Sequence, residues 1–323
     1  MVSQNGFLAF TENEDFVNRE PQLKALWQVI QGKTPQQIVL IRGESGMGKT
    51  RLLSECLAQC RDQSLTCGWI DFAEPLEQGY LSFILQLWEQ IGANGFEAVE
   101  QSIQQLSTLG RWETANAAAS PMTPTAPPSA TPPSAAMSHQ VTATTGTIGD
   151  NAQVVIGVGN TVIRAETIQH VALIINHDDW WMQSHVQTQI TAAFQAALTK
   201  CTAERKVILF LDSWNQDSPT TELRQWLLRT LFQWVARKLL PNLILILAGH
   251  EETTLQRLAQ PPVHLELAEL DAIAIRTYWR DLRQLPVEEV EDIIKYSQGF
   301  PLLMVMLANR RARQRQSAAI MMA

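Results

Sequence analysis

The chain has 323 residues, 46% of them hydrophobic and 18% charged, with a formal net charge of −7. That length gives room for one large domain plus a small one, and the acidity argues against broad non-specific DNA binding. No basic segment leads into an apolar run at the amino terminus, and the apolar runs Val207–Leu211 and Leu243–Gly249 are strand-length rather than membrane-length, which predicts a cytoplasmic protein with no membrane partner.

In chain order, Phe16-Val17-Asn18-Arg19-Glu20 leads into a helix that places Leu23, Leu26, Trp27 and Ile30 on one face. Gly32 to Gln37 is rich in breakers and precedes the apolar run Ile38-Val39-Leu40-Ile41. There follows Gly43-Glu44-Ser45-Gly46-Met47-Gly48-Lys49-Thr50 and a helical pattern from about Arg51, carrying Leu52, Leu53, Cys56 and Leu57. Strand, glycine loop, helix is the setting in which a P-loop works. Glycines let successive backbone N–H groups converge on one point, and the helix that follows aims its positive end there. Lys49 is expected to reach the β- and γ-phosphates, and the Thr50 hydroxyl to hold Mg²⁺. The expected ligand is therefore a nucleoside triphosphate, bound by Gly43 to Arg51. Cys56 and Cys60 share a helix face, and Cys67 and Cys201 follow irregularly; no histidine or second pair completes a metal set, so reduced core thiols are predicted.

Thr66–Phe72 reads as a second strand ending in Asp71, and Tyr80–Ile91 as an amphipathic helix. Alternating strands and helices after a phosphate loop predict an α/β fold, a P-loop NTPase whose parallel sheet is covered by helices on both faces. That order breaks from Glu113 to about Gln140, where Ala, Pro, Ser and Thr dominate and Pro121, Pro124, Pro127, Pro128, Pro132 and Pro133 recur. Such a stretch cannot bury enough apolar surface to offset its ordering entropy and is expected to be disordered. Beyond it, Ile148-Gly149-Asp150-Asn151 and Val158-Gly159-Asn160 each precede β-branched residues, a small repeat that fits an exposed hairpin or, alternatively, stacking between chains.

Asp178–Lys200 is a predicted helix with Trp181, Val186, Ile190, Phe194 and Leu198 available for one apolar side, and Asp178 or Asp179 near its start. Trp180-Trp181 fits core anchoring better than base stacking. Val207-Ile208-Leu209-Phe210-Leu211-Asp212 is a buried strand with an acid where the P-loop lies, the place of a Walker B aspartate that holds Mg²⁺. No second acid follows directly. Ser213 or Asn215 is left to hold a water, Asp217 comes a little later, and Glu44 is another candidate; slow turnover is predicted. Leu243 to Gly249 is a further strand ending at His250, a residue placed either to sense the γ-phosphate or simply to lie in a solvated loop. Leu265-Glu266-Leu267 is a short edge strand.

From Asp271 the pattern turns helical, through Ile273, Ile275, Tyr278 and Trp279, then Val287–Tyr296, then Pro301 onward. Gly299 is suited to end one helix and Pro301 to begin the next, which predicts a small helical lid. Arg310, Arg311, Arg313 and Arg315 suit a helix terminus or, alternatively, a tail touching phosphate or a partner.

This set of motifs resembles the STAND branch of P-loop ATPases, the signal-transduction relatives of AAA+ proteins that include NB-ARC and NACHT modules. Residues 16–20 are similar to their Gly-Arg-Glu motif with Asn18 in place of glycine, and Gly299-Phe300-Pro301-Leu302 to their Gly-x-Pro-Leu signature. The resemblance implies that Arg19 or its neighbours line the adenine pocket, that Pro301 packs against the nucleotide, and that His250 stands where relatives carry arginine. It also favours ATP, as does the lack of an Asn-Lys-x-Asp guanine signature.

The expected organisation is an ATPase core in two pieces (1–112 and 178–268), an Ala/Pro/Ser/Thr-rich disordered linker over 113–145, a β-rich insert over 146–177, a helical lid over 269–312 and a flexible tail over 313–323. The linker and insert thus fall between the Walker A and Walker B strands. The function this implies is an ATP-binding, slowly hydrolysing switch, with Lys49, Asp212, Asn215 and His250 at the chemistry and Thr50 and Asp212 at Mg²⁺. Its nucleotide state would set lid closure and then a protein partner or self-association. Two other readings are an AAA+-like ATPase of the origin-recognition or loader type acting on nucleic acid, and an ATP-bound scaffold that assembles through the insert.

Overall fold

The computed structural model describes residues 18–73, 79–92, 97, 99–106, 180–215, 219–249, 255–282 and 286–322. The chain divides into two compact units, one formed by residues 1–95 with 195–323 and the other by residues 96–194. In the second unit Val99, Ile103, Leu106, Val186 and Ile190 are buried. The Ala/Pro/Ser/Thr stretch, the repeat at 148–163, Asp178, Asp179, Asp217 and His250 lie outside the described residues.

The first unit is a parallel sheet wrapped by helices. Its strands are β1 (Ile38–Arg42), β2 (Thr66–Asp71), β3 (Val207–Trp214), β4 (Leu243–Gly249) and β5 (Val263–Glu266), and they lie side by side in the order β2-β3-β4-β1-β5. All four pairings are parallel. Among the described residues its helices include α1 (Glu20–Ile30), α2 (Lys49–Asp62), α3 (Tyr80–Ile91), the part from Gln195 onward of α4 (Trp180–Glu204), α5 (Thr221–Arg229), α6 (Leu231–Ala236), α7 (Ala272–Thr277), α8 (Val287–Ser297) and α9 (Pro301–Met322). The expected α/β class and parallel sheet are present.

The central strands carry unbroken apolar runs, Ile38–Ile41, Val207–Leu211 and Leu243–Ala248, because both faces are covered there. Side chains alternate across a strand, so Val39, Ile41, Ile208, Phe210, Ile244, Ile246 and Ala248 share one face, where they pack with Leu26 and Ile30 of α1 and Leu52, Leu53 and Cys56 of α2. Leu40, Leu209, Leu211, Leu245 and Leu247 alternate to the other face and are equally buried. The α1 and α2 helices are joined at their surfaces as well, Trp27 Nε1 donating to Gln59 Oε1 at 2.7 Å. Cys56, Cys60 and Cys201 are buried free thiols. Contact with Cys56 pushes the Cys60 thiol up to about 12.

β2 lies at the edge of the five-stranded sheet, and one side chain covers its outer side at Trp69. Gln90 of α3 donates from Nε2 to the Trp69 carbonyl at 2.8 Å and accepts the Trp69 N–H at Oε1.

The β3 strand does not end at the acid. It runs on to Trp214, with an irregularity between Leu211 and Trp214 and Ser213 at φ +58. A bulge of this kind breaks the ladder locally and re-aims the side chains beside it. Past the bulge the fully buried Trp214 pairs with Gly249 and packs against Phe72 and Phe232, with the Arg224 guanidinium 4.6 Å from its ring centroid.

The carboxyl-terminal helices have their own buried cluster. Ile275, Tyr278 and Trp279 of α7 and the turn after it pack with Val290 and Ile293 of α8 and Met304 of α9. Asp271 starts α7 by accepting the Ala274 N–H at 2.7 Å. Gly299, at φ +82, lies where an added Cβ would come within 2.5 Å of the Leu270 carbonyl oxygen. Only glycine permits that approach, and the Leu270 N–H bonds the Gly299 carbonyl at 2.8 Å.

Candidate functional site

The loop between β1 and α2 has the conformation its glycines anticipate. Gly46 and Gly48 sit at φ +86 and +84, and Gly48 is the residue just before the first helical turn. Left-handed backbone at these two positions turns the N–H groups inward, to the start of a fourteen-residue helix. Gly43 is needed for space, since a Cβ there would lie 2.9 Å from the Leu267 carbonyl oxygen. Met47 is the anchor: its side chain is buried in the core with α1 and α2, which holds the loop down from beneath. Glu44, Ser45 and Thr50 are exposed.

Lys49 bends back over the loop. Its Nζ donates to the carbonyls of Gly43 at 2.7 Å and Glu44 at 2.9 Å, so the ammonium spans the hollow in which a phosphate chain would sit. Burial lowers its pKa, an effect opposed by the charge of Asp212. The two residues thus share one electrostatic neighbourhood although β4 separates β1 from β3.

Asp212 is 2% exposed. Its Oδ1 accepts the Ser213 N–H at 2.8 Å, while Oδ2 is buried and makes no hydrogen bond. Burial raises its pKa; the Thr50 hydroxyl and the Ser213 N–H oppose that rise, Asp71 adds to it, and Lys49 opposes it. A buried carboxylate oxygen without a partner costs free energy unless something occupies the space it faces. A Thr hydroxyl beside it completes an oxygen donor pair suited to a hard divalent cation such as Mg²⁺.

Arg19 is buried, and it does not stand free. Its Nη2 donates to the Ala268 carbonyl at 2.7 Å and to the Met47 carbonyl at 3.4 Å, so one guanidinium ties the phosphate loop to the segment after β5. Burial lowers its pKa. The residue before it explains a departure from the Gly-Arg-Glu pattern: Asn18 has φ +56, the left-handed region that asparagine tolerates better than most residues with a side chain.

Arg51, one position beyond Thr50, is half-buried with Nε and Nη2 unpartnered. Asn215 is half-buried just past the bulge. Pro301 opens α9, and the next residue reaches the loop: the Leu302 N–H bonds the Gly46 carbonyl at 3.2 Å, and its Cβ lies 3.1 Å from where a Cβ on Gly46 would stand.

Two features had weak signals in the sequence. Leu302 was legible only as part of the Gly-Phe-Pro-Leu run. Asp71 was legible only as the end of a strand, yet the sheet sets it directly opposite Asp212.

Among known proteins, the AAA ATPase domain family matches residues 15–246. No curated protein matches the chain. The solved structures that match include two with named functions. One is a Signal Transduction ATPase with Numerous Domains (STAND) protein with a tetratricopeptide repeat sensor from Pyrococcus horikoshii, 15% identical at a TM-score of 0.44, over 92% of this chain and 31% of that one. The other is Cdc6p from Pyrobaculum aerophilum, 13% identical at a TM-score of 0.49, over 94% of this chain and 63% of that one. This chain therefore spans under two thirds of the length of either. Among the described residues no helix is long and apolar enough to cross a membrane. With its phosphate loop, parallel sheet and family match over most of its length, the chain belongs to the AAA ATPase domain family, whose members bind nucleotide.

Proposed function

We propose that this protein is an ATP-dependent switch of the STAND signal-transduction type. Gly43 to Arg51 would cradle the phosphates, with Lys49 released from its loop carbonyls to the β- and γ-phosphates. Thr50 and Asp212 would hold Mg²⁺. Helices α7 to α9 would be the lid, and the nucleotide state would govern its seating and so the presentation of a surface to a protein partner or a second copy.

The observation that carries this reading is the bond from the Leu302 N–H to the Gly46 carbonyl, with the Leu302 side chain packed on the same glycine. A backbone change in the phosphate loop cannot leave α9 untouched. Hydrolysis would be slow, because the positions after Asp212 hold Ser213, Trp214 and Asn215 rather than a carboxylate.

Calorimetry with and without Mg²⁺ and light scattering in the apo, ATP-analogue and ADP states test the two parts. Lys49→Ala is expected to weaken ATP binding at least tenfold, about 1.4 kcal/mol. The wild type is expected to change hydrodynamic radius or mass with ATP analogue and to revert with ADP. Unchanged affinity in the variant refutes the phosphate site. A clear DNA-stimulated turnover with salt-sensitive DNA affinity refutes the switch in favour of a nucleic-acid loader.

A further inference from the structure

We infer that Asp71, on the strand beside Asp212, is the carboxylate that orients and deprotonates the attacking water. This rests on the ATP-binding reading above and deepens it. β2 and β3 run parallel in unbroken register from Thr66 opposite Val207 to Asp71 opposite Asp212. Directly paired residues on neighbouring strands project to the same face of the sheet, roughly 5 Å apart. Two acids thus lie side by side on one face, Asp71 ending β2 and Asp212 two residues before the end of β3, towards the carboxyl-terminal edge of the sheet where the phosphate loop also lies.

Their environments differ. Asp212 is 2% exposed with an unpartnered Oδ2, next to the Thr50 hydroxyl and within the influence of Lys49. Asp71 is half-buried and open to water. Its Oδ1 accepts the Ala73 N–H at 2.9 Å, a tight turn that fixes the carboxylate at the strand end. The Phe72 N–H bonds the Asp212 carbonyl at 3.1 Å, so the strand pairing continues past the acids and holds them together. The bulge after Asp212 supplies no acid of its own; Ser213 takes the left-handed conformation and Trp214 goes into the core.

The buried acid is thus suited to the cation and the half-buried one to the water. In the step, the water oxygen bonds to the γ-phosphorus as the bond from that phosphorus to the β,γ-bridging oxygen breaks. ADP leaves with the electron pair, and the water proton passes to Asp71 and then to the released phosphate.

Asp71→Asn tests the assignment, because the amide oxygen can still accept from the Ala73 N–H while the group can no longer take a proton. Full-length wild type, Asp71→Asn and Asp212→Asn are compared by Mg²⁺-dependent binding of a fluorescent ATP analogue, single-turnover phosphate release across pH, and thermal midpoint. Asp71→Asn should bind within about twofold of wild type, keep its midpoint, and release phosphate about 100-fold more slowly. Asp212→Asn should instead lose the Mg²⁺-dependent part of binding. Wild-type turnover in Asp71→Asn overturns the assignment, as does a loss of affinity that tracks the loss of rate. A wild type that binds ATP yet releases no phosphate overturns it too while leaving ATP binding intact. Failure of the wild type to bind ATP refutes the parent reading, and this one with it, and is distinguished by the binding measurement alone.

Discussion

Gly249→Ala is expected to be among the most damaging single-methyl additions in this protein. A Cβ at that position would lie 1.8 Å from the Trp214 carbonyl oxygen and 2.5 Å from its carbonyl carbon. Non-bonded heavy atoms settle at about 3.5 Å, so the β3 and β4 backbones would have to part by something over an ångström at this rung. Neither yields easily. Trp214 is 1% exposed and wedged between Phe72 and Phe232, and β4 is buried along its whole length. Overpacking of this severity costs about 3 kcal/mol, which for a domain of this size corresponds to a fall in melting temperature of roughly 6–12 °C. Thermal denaturation by circular dichroism, supported by urea titration at constant slope, measures it. The rung lies two residues past Asp212, so the surviving folded protein should also bind Mg²⁺ and ATP more weakly. Trimming the indole will not rescue the variant, because the obstacle is main chain. A Gly249→Ala protein melting within about 1 °C of wild type would refute the reasoning.

Asp212 links stability to pH. Its folded-state pKa is raised from 3.8 by burial, so its contribution to folding is fully present below about pH 4 and is lost as pH rises through the raised value. Asp212→Asn, permanently neutral, should therefore melt higher than the apo wild type at neutral pH, with the difference shrinking towards pH 3; a variant that is less stable than wild type at pH 7 contradicts this. Arg19→Ala removes the donor shared by the Met47 and Ala268 carbonyls and should cost about 2 kcal/mol in urea denaturation. Arg19→Lys should recover little, since an ammonium cannot reproduce the guanidinium fork, and full recovery would argue that charge alone matters. Leu302→Ala should leave the sheet intact but loosen α9 from the phosphate loop, seen as faster exchange of the amide at position 302, which donates to the Gly46 carbonyl; unchanged exchange would remove the proposed coupling.

The phosphate loop and the sheet class were legible because their signals are local. Gly46, Gly48, Lys49 and Thr50 fall within five positions, and the apolar runs of β1, β3 and β4 have the unbroken character of strands covered on both sides. What was not legible depends on contacts far apart in the chain. Asp71 and Asp212 meet only because two strands pair in a particular register, which no periodicity reports. The extension of β3 to Trp214 was hidden because a bulge residue interrupts the apolar run, and Ser213 reads as a loop when its left-handed backbone is unknown. Arg19 shows the difference most plainly. Its place in a motif says nothing of the two main-chain carbonyls that hold its guanidinium, and only the fold brings those together.

The glutamine side chain that covers Trp69 bears on how copies of this protein can associate. An open sheet edge is an invitation to another strand, and chains commonly assemble by accepting it. Here the exposed main-chain groups at the middle of β2 are already matched, donor to acceptor and acceptor to donor, by a single amide that imitates one residue of a missing neighbour. The opposite edge, β5, is four residues long. A strand added at Trp69 would therefore have to displace both of these bonds, so this stretch of the edge is poorly suited to continuation of the sheet.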